Sequence, residues 1–276
     1  MVTIHQVWAV YFSATGTTRK VVCRLAQELS RALIAPCRED DLTPPESRLR
    51  SRKFQEGDLV VLGLPAYGGR VPKELLSCLR AIQGGGALTV PVVLYGNRSY
   101  GDALLELRQQ LEADGFWPVA AGAFVGEHAL ASHLAQNRPD SGDMAWVDRL
   151  AEATVRKLRT ASPEELLRTL EVDGRDPVRP YYQPLGRDGR RISLQNVRPQ
   201  IGDSCGGCGL CARLCPMGSI RLVEGLPHMD GSCIQCGACV KSCPRRAIYF
   251  DDPDYLFHIH QLEDLYAQRK PPSLFV

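Results

Sequence analysis

Eight of the eleven cysteines lie in the last third of the chain, in two copies of one pattern. The first copy has the form C-x2-C-x2-C-x3-C-P and consists of Cys205, Cys208, Cys211, Cys215 and Pro216. The second copy repeats this spacing with Cys233, Cys236, Cys239, Cys243 and Pro244. The same offset pairs Gly209 with Gly237, Ile220 with Ile248 and Leu222 with Phe250. The segment is therefore an internal duplication that extends beyond its cysteines.

The cysteine spacing favours iron–sulfur clusters. Soft thiolates bind such clusters, and three closely spaced cysteines on a tight loop can ligate three irons of one cubane, with the fourth ligand supplied from elsewhere. Paired C-x2-C motifs also suit tetrahedral zinc, although zinc would leave the third cysteine of each run redundant. A disulfide framework is the other alternative, and it is disfavoured in a chain expected to be cytoplasmic.

This segment resembles the two-cluster bacterial ferredoxins, in which the last cysteine of each run ligates the other cluster. The resemblance implies two [4Fe-4S] clusters in a C-terminal α+β domain over residues 198–252. One cluster would have Cys205, Cys208, Cys211 and Cys243 as ligands. The other would have Cys233, Cys236, Cys239 and Cys215.

The first 160 residues alternate short apolar runs with amphipathic segments. The apolar runs are bounded by Gly, Pro or Asn, which is typical of buried parallel strands. The predicted strands cover 7–12, 33–37, 59–64, 90–95 and 119–124. The predicted helices cover 17–31, 72–82, 101–114 and 143–159. This order predicts a doubly wound α/β domain over 1–160, with a five-stranded parallel sheet.

The loop after the first strand is a candidate phosphate site. It offers hydroxyls and backbone N–H groups at a helix start, through Ser13, Thr15, Gly16, Thr17 and Thr18. The chain has neither a P-loop lysine at the required spacing nor a G-x-G-x-x-G motif, so a mononucleotide is favoured over a dinucleotide. The simpler interpretation is an ordinary helix N-terminus.

Two further loops follow the third and fourth predicted strands, and each presents a tyrosine among glycines. The candidate residues of the first are Pro65, Ala66, Tyr67, Gly68 and Gly69. Those of the second are Gly96, Asn97, Tyr100, Gly101 and Asp102. Aromatic rings and close backbone approach suit a flat heterocycle. Alternatively, the tyrosines are ordinary surface residues.

The sequences FSATGTT, PAYGGRVP and GNRSYGD, in this order and spacing, resemble the loops of flavodoxins. The resemblance implies a bound FMN, with its phosphate on the loop 13–18. It also implies that Tyr100 stacks on the flavin, that Tyr67 covers the other face, and that Gly68 or Gly69 lies near N5. The chain differs from the family in having Arg70 and Arg98 where the loops are usually acidic.

Two regions lie outside these domains. Residues 161–197 form a connector rich in Pro and Arg, which either guides an acidic partner or pairs with the folded domains. Residues 253–276 are expected to form a C-terminal helical tail. Glu127 and His128 follow the fifth predicted strand, where they would serve as a proton donor or substrate contact, or else as surface residues.

Composition and charge exclude several classes of function. Lys and Arg total 33 and Asp and Glu total 31, so the chain lacks the strong field of a nucleic-acid binder. The charge-free stretch 81–97 is broken by glycines and Pro91, which disfavours a membrane span, and no secretory signal is evident, so a cytoplasmic location is expected.

The two resemblances together place the chain among proteins that fuse a flavodoxin-like domain to a two-cluster ferredoxin domain. They imply an electron-transfer iron–sulfur flavoprotein, which passes electrons between FMN, two [4Fe-4S] clusters and an unidentified redox partner protein. One alternative is an FMN-dependent oxidoreductase that reduces a small organic acceptor, with the clusters as its electron supply. Another is a redox sensor.

Overall fold

The structure is a computed structural model that describes residues 2–194 and 196–276. Its strands are β1 (Gln6–Tyr11), β2 (Cys37–Asp41), β3 (Arg52–Lys53), β4 (Asp58–Pro65), β5 (Ile82–Gln83), β6 (Leu88–Tyr95), β7 (Trp117–Pro118), β8 (Ala121–Val125), β9 (Gln200–Ile201), β10 (Ile220–Val223), β11 (Leu226–Met229), β12 (Ile248–Tyr249) and β13 (Ser273–Phe275). Its helices are α1 (Thr17–Leu33), α2 (Leu76–Arg80), α3 (Ala103–Ala113), α4 (Ser141–Thr160), α5 (Pro163–Leu166), α6 (Leu210–Leu214), α7 (Ala238–Lys241) and α8 (Pro253–Leu265). Two 3-10 turns cover Pro45–Leu49 and Lys73–Leu75.

The main sheet has seven strands, in the order β13-β8-β6-β4-β1-β2, with β7 paired to β6. Five of them, β2, β1, β4, β6 and β8, form a continuous parallel array, and the short β7 adds a parallel pairing to β6. Counted along the chain, these five have the order 2-1-3-4-5, which is the flavodoxin-like arrangement. The predicted doubly wound α/β fold is confirmed.

Helices cover both faces of this sheet. Apolar residues of α1 and α4, among them Leu25 and Leu150, pack in one core cluster on one face. Residues before and in α2 and α3, such as Leu75 and Leu107, pack in the cluster on the other face. The central strands β4 and β6 are buried along nearly their whole length, as expected for parallel strands between two helical layers.

The predicted position of the second strand was wrong. The prediction covers 33–37, but α1 continues to Leu33, Ile34 takes the left-handed conformation with φ 55°, and β2 covers Cys37–Asp41. This strand has the sequence CREDD and lies at the sheet edge with most of its side chains exposed. An edge strand does not need an apolar sequence, so the hydrophobic pattern gave no signal for it.

The cysteine-rich segment forms a small module of two antiparallel strand pairs and two short helices. Strand β10 pairs with β11, and β12 pairs with β9. The equivalent residues Ile220 and Ile248 of the two repeats pack in one core with Cys211. The duplication therefore has a structural counterpart, since each repeat contributes a helix after its cysteine loop and an isoleucine to the shared core.

The C-terminal segment returns to the α/β domain. The helix predicted there is α8, but the segment then continues into β13, which pairs antiparallel with β8. Residues of α8 pack with Ala131 and Leu134 of the α/β domain and with Phe250 of the cysteine module. A small core thus joins the two domains. None of the helices in residues 2–194 and 196–276 has the length and apolar character needed to cross a bilayer.

Candidate functional site

The predicted flavin loops meet at the carboxyl edge of the sheet. The Asp102 N–H donates to the Gly69 carbonyl at 2.8 Å, which joins the loop after β6 to the loop after β4. A Cβ atom on Gly126, after β8, would lie 3.2 Å from Cβ of Thr17 at the start of α1. The topology therefore brings the three predicted loops together and adds the loop after β8 to them.

The loop after β1 has the features of an anion site. Gly16 has a φ of 86° and caps α1, a helix of 17 residues whose dipole favours a negative charge at this end. Ser13 Oγ accepts a hydrogen bond from the Arg19 N–H at 3.0 Å. Within the described residues, the N–H groups of residues 14, 15, 17 and 18 donate to no protein acceptor. Four free backbone donors at a helix N-terminus fit a phosphate group.

The loop after β4 lies beside the cysteine module, since Ala66 and Ile234 pack against the same core cluster. Tyr67 and Arg70 exchange two backbone hydrogen bonds across a turn that contains Gly68 and Gly69, both with positive φ. Burial holds the pKa of the Tyr67 hydroxyl well above its usual range, and the charges of Cys236 and Cys233 raise that pKa further. The Tyr67 hydroxyl thus lies near the second cysteine loop, and the residue is half-buried.

The connector crosses these loops as a strap, here residues 173–186. The Tyr182 N–H donates to the Gly68 carbonyl at 2.8 Å, and the Tyr181 hydroxyl donates to the Val71 carbonyl at 2.7 Å. Arg179 forms a salt bridge with the buried Asp102 at 2.5 Å and holds the pKa of that carboxyl well below its usual range. The structure therefore shows that Arg179 pairs with the folded α/β domain.

The predicted residues of the third loop hold neighbouring segments. Asn97 Nδ2 donates to the carbonyls of Tyr266 and Gln268, at 2.6 and 2.8 Å, and fastens the segment before β13. The Tyr100 hydroxyl donates to Asp173 at 3.0 Å, and its ring centroid lies 5.3 Å from that of Tyr95. The side chains of Asn97, Tyr100 and Asp102 are thus engaged by the protein, and their roles toward a flavin stay predictions.

Four cysteines from both repeats line one pocket. They are Cys215, Cys233, Cys236 and Cys239. This is the crossed set that the ferredoxin resemblance implies. The sulfurs of Cys215 and Cys233 accept backbone N–H bonds at 3.4 Å. Among the described residues, no three His, Cys, Asp or Glu side chains are placed to hold a single metal ion.

The two cysteine loops differ in exposure. Burial raises the pKa of the Cys236 thiol to about 11 and that of Cys239 to about 12. Each loop has one buried cysteine, Cys211 in the first and Cys236 in the second, and Cys208 of the first loop is exposed. Burial also raises the pKa of Cys211, and the charges of Cys205 and Cys208 add to the effect. The clearest difference lies at two equivalent positions of the repeats, where Cys208 is exposed and Cys236 is buried.

The second cysteine loop docks on the loop after β8. A Cβ atom on Gly237 would lie 2.3 Å from the Ala129 carbonyl oxygen. Lys241 Nζ lies 2.5 Å from Glu127 Oε1 and donates to the His128 carbonyl at 2.8 Å. Ile234 packs against the same core cluster as Ala66. Sequence reasoning selected Glu127 and His128 as a site but did not connect them to the cysteine module.

His128 is held as a neutral imidazole. Its Nδ1 accepts hydrogen bonds from the N–H groups of Leu130 and Ala131, at 3.2 and 2.9 Å, so the ring proton belongs on Nε2. Burial lowers the pKa of His128 to about 4, and the nearby positive charge of Lys241 contributes. This histidine stabilises the turn that carries Ala129.

Comparison with known proteins gives matches to both domains. A profile of the 4Fe-4S dicluster domain family matches residues 204–248. An archaeal flavodoxin is similar at 12% identity, covering 56% of this chain and 99% of its own, with a TM-score of 0.41. Flavodoxin 2 from Bacillus cereus is similar at 17% identity, covering 55% and 99%, with a TM-score of 0.39. The apo form of an NADH:FMN oxidoreductase is similar at 14% identity, covering 59% and 94%, with a TM-score of 0.44.

No curated protein sequence matches the chain significantly. The fold of the α/β domain is established by its strand order and parallel pairing. The chain therefore combines a flavodoxin-like domain with a C-terminal segment similar to the 4Fe-4S dicluster domain.

Proposed function

We propose that this protein is an electron-transfer iron–sulfur flavoprotein that passes electrons between FMN, two [4Fe-4S] clusters and an external redox partner. The observation that carries the proposal is the docking of the second cysteine loop on the flavin-loop edge of the sheet, through Gly237 and Lys241. FMN exchanges one or two electrons, whereas each cluster carries one electron at a time. Adjacent sites of these two kinds therefore suit a protein that links two-electron transfer to one-electron transfer.

The chain's own groups fit FMN at its phosphate end. The free N–H groups of the loop 13–18 would hold the phosphate, since they and the dipole of α1 favour an anion. The positive φ of Gly68 and Gly69 lets the backbone of the second loop approach a flat ring closely. The half-buried Tyr67, whose hydroxyl lies near the second cysteine loop, would shield part of this edge from water.

Eight cysteines would hold the clusters in the crossed sets. The cavity lined by Cys215, Cys233, Cys236 and Cys239 supports this assignment for the inner cluster. Cys205, Cys208, Cys211 and Cys243 would hold the outer cluster, next to solvent. The difference in exposure supports one order of transfer: external partner, outer cluster, inner cluster, flavin. A cytoplasmic location belongs to the same proposal, because a reducing compartment keeps these thiols available as ligands.

The strap favours a carrier over an enzyme that reduces small molecules. Such an enzyme needs an open flavin face, whereas here the strap lies on the second loop, where the Tyr182 N–H donates to the Gly68 carbonyl. The alternative oxidoreductase would require the strap to move, and Arg179 anchors the strap on Asp102 through a charge-assisted pair.

The test is anaerobic electron delivery to the reconstituted protein. Reduced ferredoxin is added, and the absorbance of flavin and clusters is followed with and without a quinone or nitroaromatic compound. The proposal predicts stoichiometric uptake that reduces the flavin through the clusters, without sustained turnover. Sustained turnover that is specific to one small acceptor would contradict the carrier role. Reduction of the clusters with the flavin left oxidised would contradict the connection between them.

A further inference from the structure

Arg48 reaches from the α/β domain to the cysteine module. It lies in the 3-10 turn after β2, and its Nη2 donates to the Pro216 carbonyl at 2.5 Å. Pro216 follows Cys215 in the chain, and both residues line the pocket of the inner cluster. The turn makes a second contact, since a Cβ atom on Gly218 would lie 3.6 Å from Cγ of Pro45. The segment after β2 therefore docks on the turn that carries an inner-cluster ligand.

Main-chain carbonyls hold the Arg48 guanidinium in one position. Its Nη1 donates to the carbonyls of Leu42 and Thr43, at 2.9 and 2.8 Å. Its Cζ lies 5.6 Å from the centroid of the Phe12 ring. Together with the bond to Pro216, three carbonyls bind this half-buried cation. The charge of Arg48 is thus fixed at the boundary between the two domains.

No carboxylate balances this charge at close range. Within the described residues, Arg48 takes part in no ion pair. Burial lowers the pKa of the guanidinium, while the charges of Cys78, Glu46 and Cys215 oppose that shift. Of these three, Glu46 is exposed to solvent, and burial raises the pKa of the Cys78 thiol, which keeps it neutral. Since arginine stays protonated in proteins, the remaining group that can supply a close negative charge is Cys215.

Two proposed anions lie near Arg48, the inner cluster and the phosphate of FMN. A cubane held by four thiolates has a net negative charge, and reduction adds one more. Arg48 binds the carbonyl of Pro216, which itself lines the cluster pocket. It reaches the phosphate loop only indirectly, because the Ser13 N–H donates to Thr43 Oγ1 at 2.8 Å while Arg48 binds the Thr43 carbonyl. The direct contact favours the cluster. Partial burial of a cation costs free energy, which a nearby anion offsets.

We infer that Arg48 is the counter-charge of the inner [4Fe-4S] cluster and raises the reduction potential of that cluster. This inference rests on the proposed function and on the crossed ligand sets. It adds a residue of the α/β domain that tunes a cluster of the cysteine module. A fixed positive charge stabilises the reduced cluster more than the oxidised one, because the reduced form is the more negative. Arg48 acts through its charge and is not a ligand of the cluster.

The test is an anaerobic redox titration of the reconstituted protein, in which EPR follows the reduced clusters. Arg48→Gln keeps a hydrogen-bond donor but removes the charge. It should lower the potential of one cluster by about 59 mV or more, a tenfold change in a one-electron equilibrium. The cluster that shifts should be the one that Cys215→Ser removes. Arg48→Lys keeps the charge and should retain most of the wild-type potential. Arg50→Gln, at an exposed position next to the turn, is the matched control and should leave both potentials unchanged.

A variant of opposite sign separates the effect of charge from structural damage. Glu46→Lys replaces an exposed carboxylate of the same turn with a cation, so it should raise the potential of the inner cluster. This variant decides the question if Arg48→Gln fails to take up iron.

Three results would overturn the inference. One is an equal fall in potential for Arg48→Gln and Arg48→Lys, which would assign the effect to the lost hydrogen bonds. Another is an unchanged inner-cluster potential in Arg48→Gln or, if that variant takes up no iron, in Glu46→Lys. The third is a weaker Kd for FMN in Arg48→Gln with both potentials unchanged, which would assign the charge to the phosphate loop. If the wild type holds fewer than two clusters, or its reduced clusters do not reduce the flavin, it is the proposed function that fails.

Discussion

Gly237 packs closely against Ala129: an added Cβ atom would lie 2.3 Å from the Ala129 carbonyl oxygen. This close approach joins the second cysteine loop to the flavodoxin-like domain. The equivalent glycine of the first repeat, Gly209, has nearly the same backbone, with φ 70° against 73°. Its added Cβ would meet the flexible side chain of Leu222 at 3.1 Å instead. The two glycines therefore differ in what they face and not in their conformation.

Gly237→Ala should weaken the contact between the two domains, whereas Gly209→Ala should not. Both substitutions place alanine in the left-handed region, at a cost of roughly 1–2 kcal/mol each. Only Gly237→Ala adds a clash with rigid backbone, which overpacking data put at about 1–3 kcal/mol more. Thermal unfolding and the rate of flavin reduction through the clusters measure the two effects. Equal losses for both variants would show that the contact between the domains is unimportant.

Much of this arrangement was predictable from local pattern. The buried strands β4 and β6 have apolar sequences, and the loop at Gly16 combines turn residues with a helix start. The eight cysteines carry a spacing that few other sites share. These features are encoded within short segments, so sequence periodicity and motif spacing are sufficient to find them.

The rest depends on contacts between distant parts of the chain. Asn97 lies in a flavodoxin-like loop, yet its side chain binds carbonyls of Tyr266 and Gln268, which no local pattern indicates. The short strand β13 has only three residues and gains its stability by pairing with β8. The strap has no periodicity, because its order comes from hydrogen bonds to Gly68, Val71 and Asp102.

Pairs of cysteine substitutions test the crossed ligand sets. Cys215→Ser alone should remove about four irons, the content of one cubane. Adding Cys239→Ser should remove no more, because both sulfurs line the same cavity. Adding Cys211→Ser instead should remove about eight irons in total, because both cubanes lose a ligand. Cys37→Ser, at an exposed cysteine outside the module, is the control. If the first pair lost both clusters and the second pair only one, the sets would not be crossed.

Thr15→Glu tests the phosphate site. A carboxylate on this loop repels a phosphate held by the free N–H groups, and a loss of about 1.4 kcal/mol corresponds to a tenfold weaker Kd. Titration of the apoprotein with FMN, followed by flavin fluorescence, should show this loss. Riboflavin, which lacks the phosphate, should bind wild type and variant equally. Equal weakening for both ligands would mean that the substitution disturbs the ring site instead.

His128 gives the stability of the domain contact a pH dependence. Its pKa is lowered from 6.5 to about 4 by burial, so the unfolded chain takes up a proton below pH 6.5 while the folded chain does not. Stability should therefore fall as the pH drops from 6.5 toward 4, by on the order of 1–3 kcal/mol.

The variant His128→Asn isolates this effect. The asparagine oxygen can accept hydrogen bonds from the N–H groups of Leu130 and Ala131, and the asparagine side chain does not titrate. Unfolding of wild type and variant is compared at pH 5 and pH 7 in the same cofactor state, so that acid damage to the clusters affects both equally. The variant should lose less stability than the wild type at the lower pH. An identical decline would assign the acid sensitivity to other groups.

The most direct measurement of the central claim is the iron, sulfide and flavin content of protein purified without air. Two [4Fe-4S] cubanes and one flavin require about eight irons, about eight sulfides and one FMN per chain. Zinc in place of iron, with no acid-labile sulfide and no bound flavin, would contradict the account.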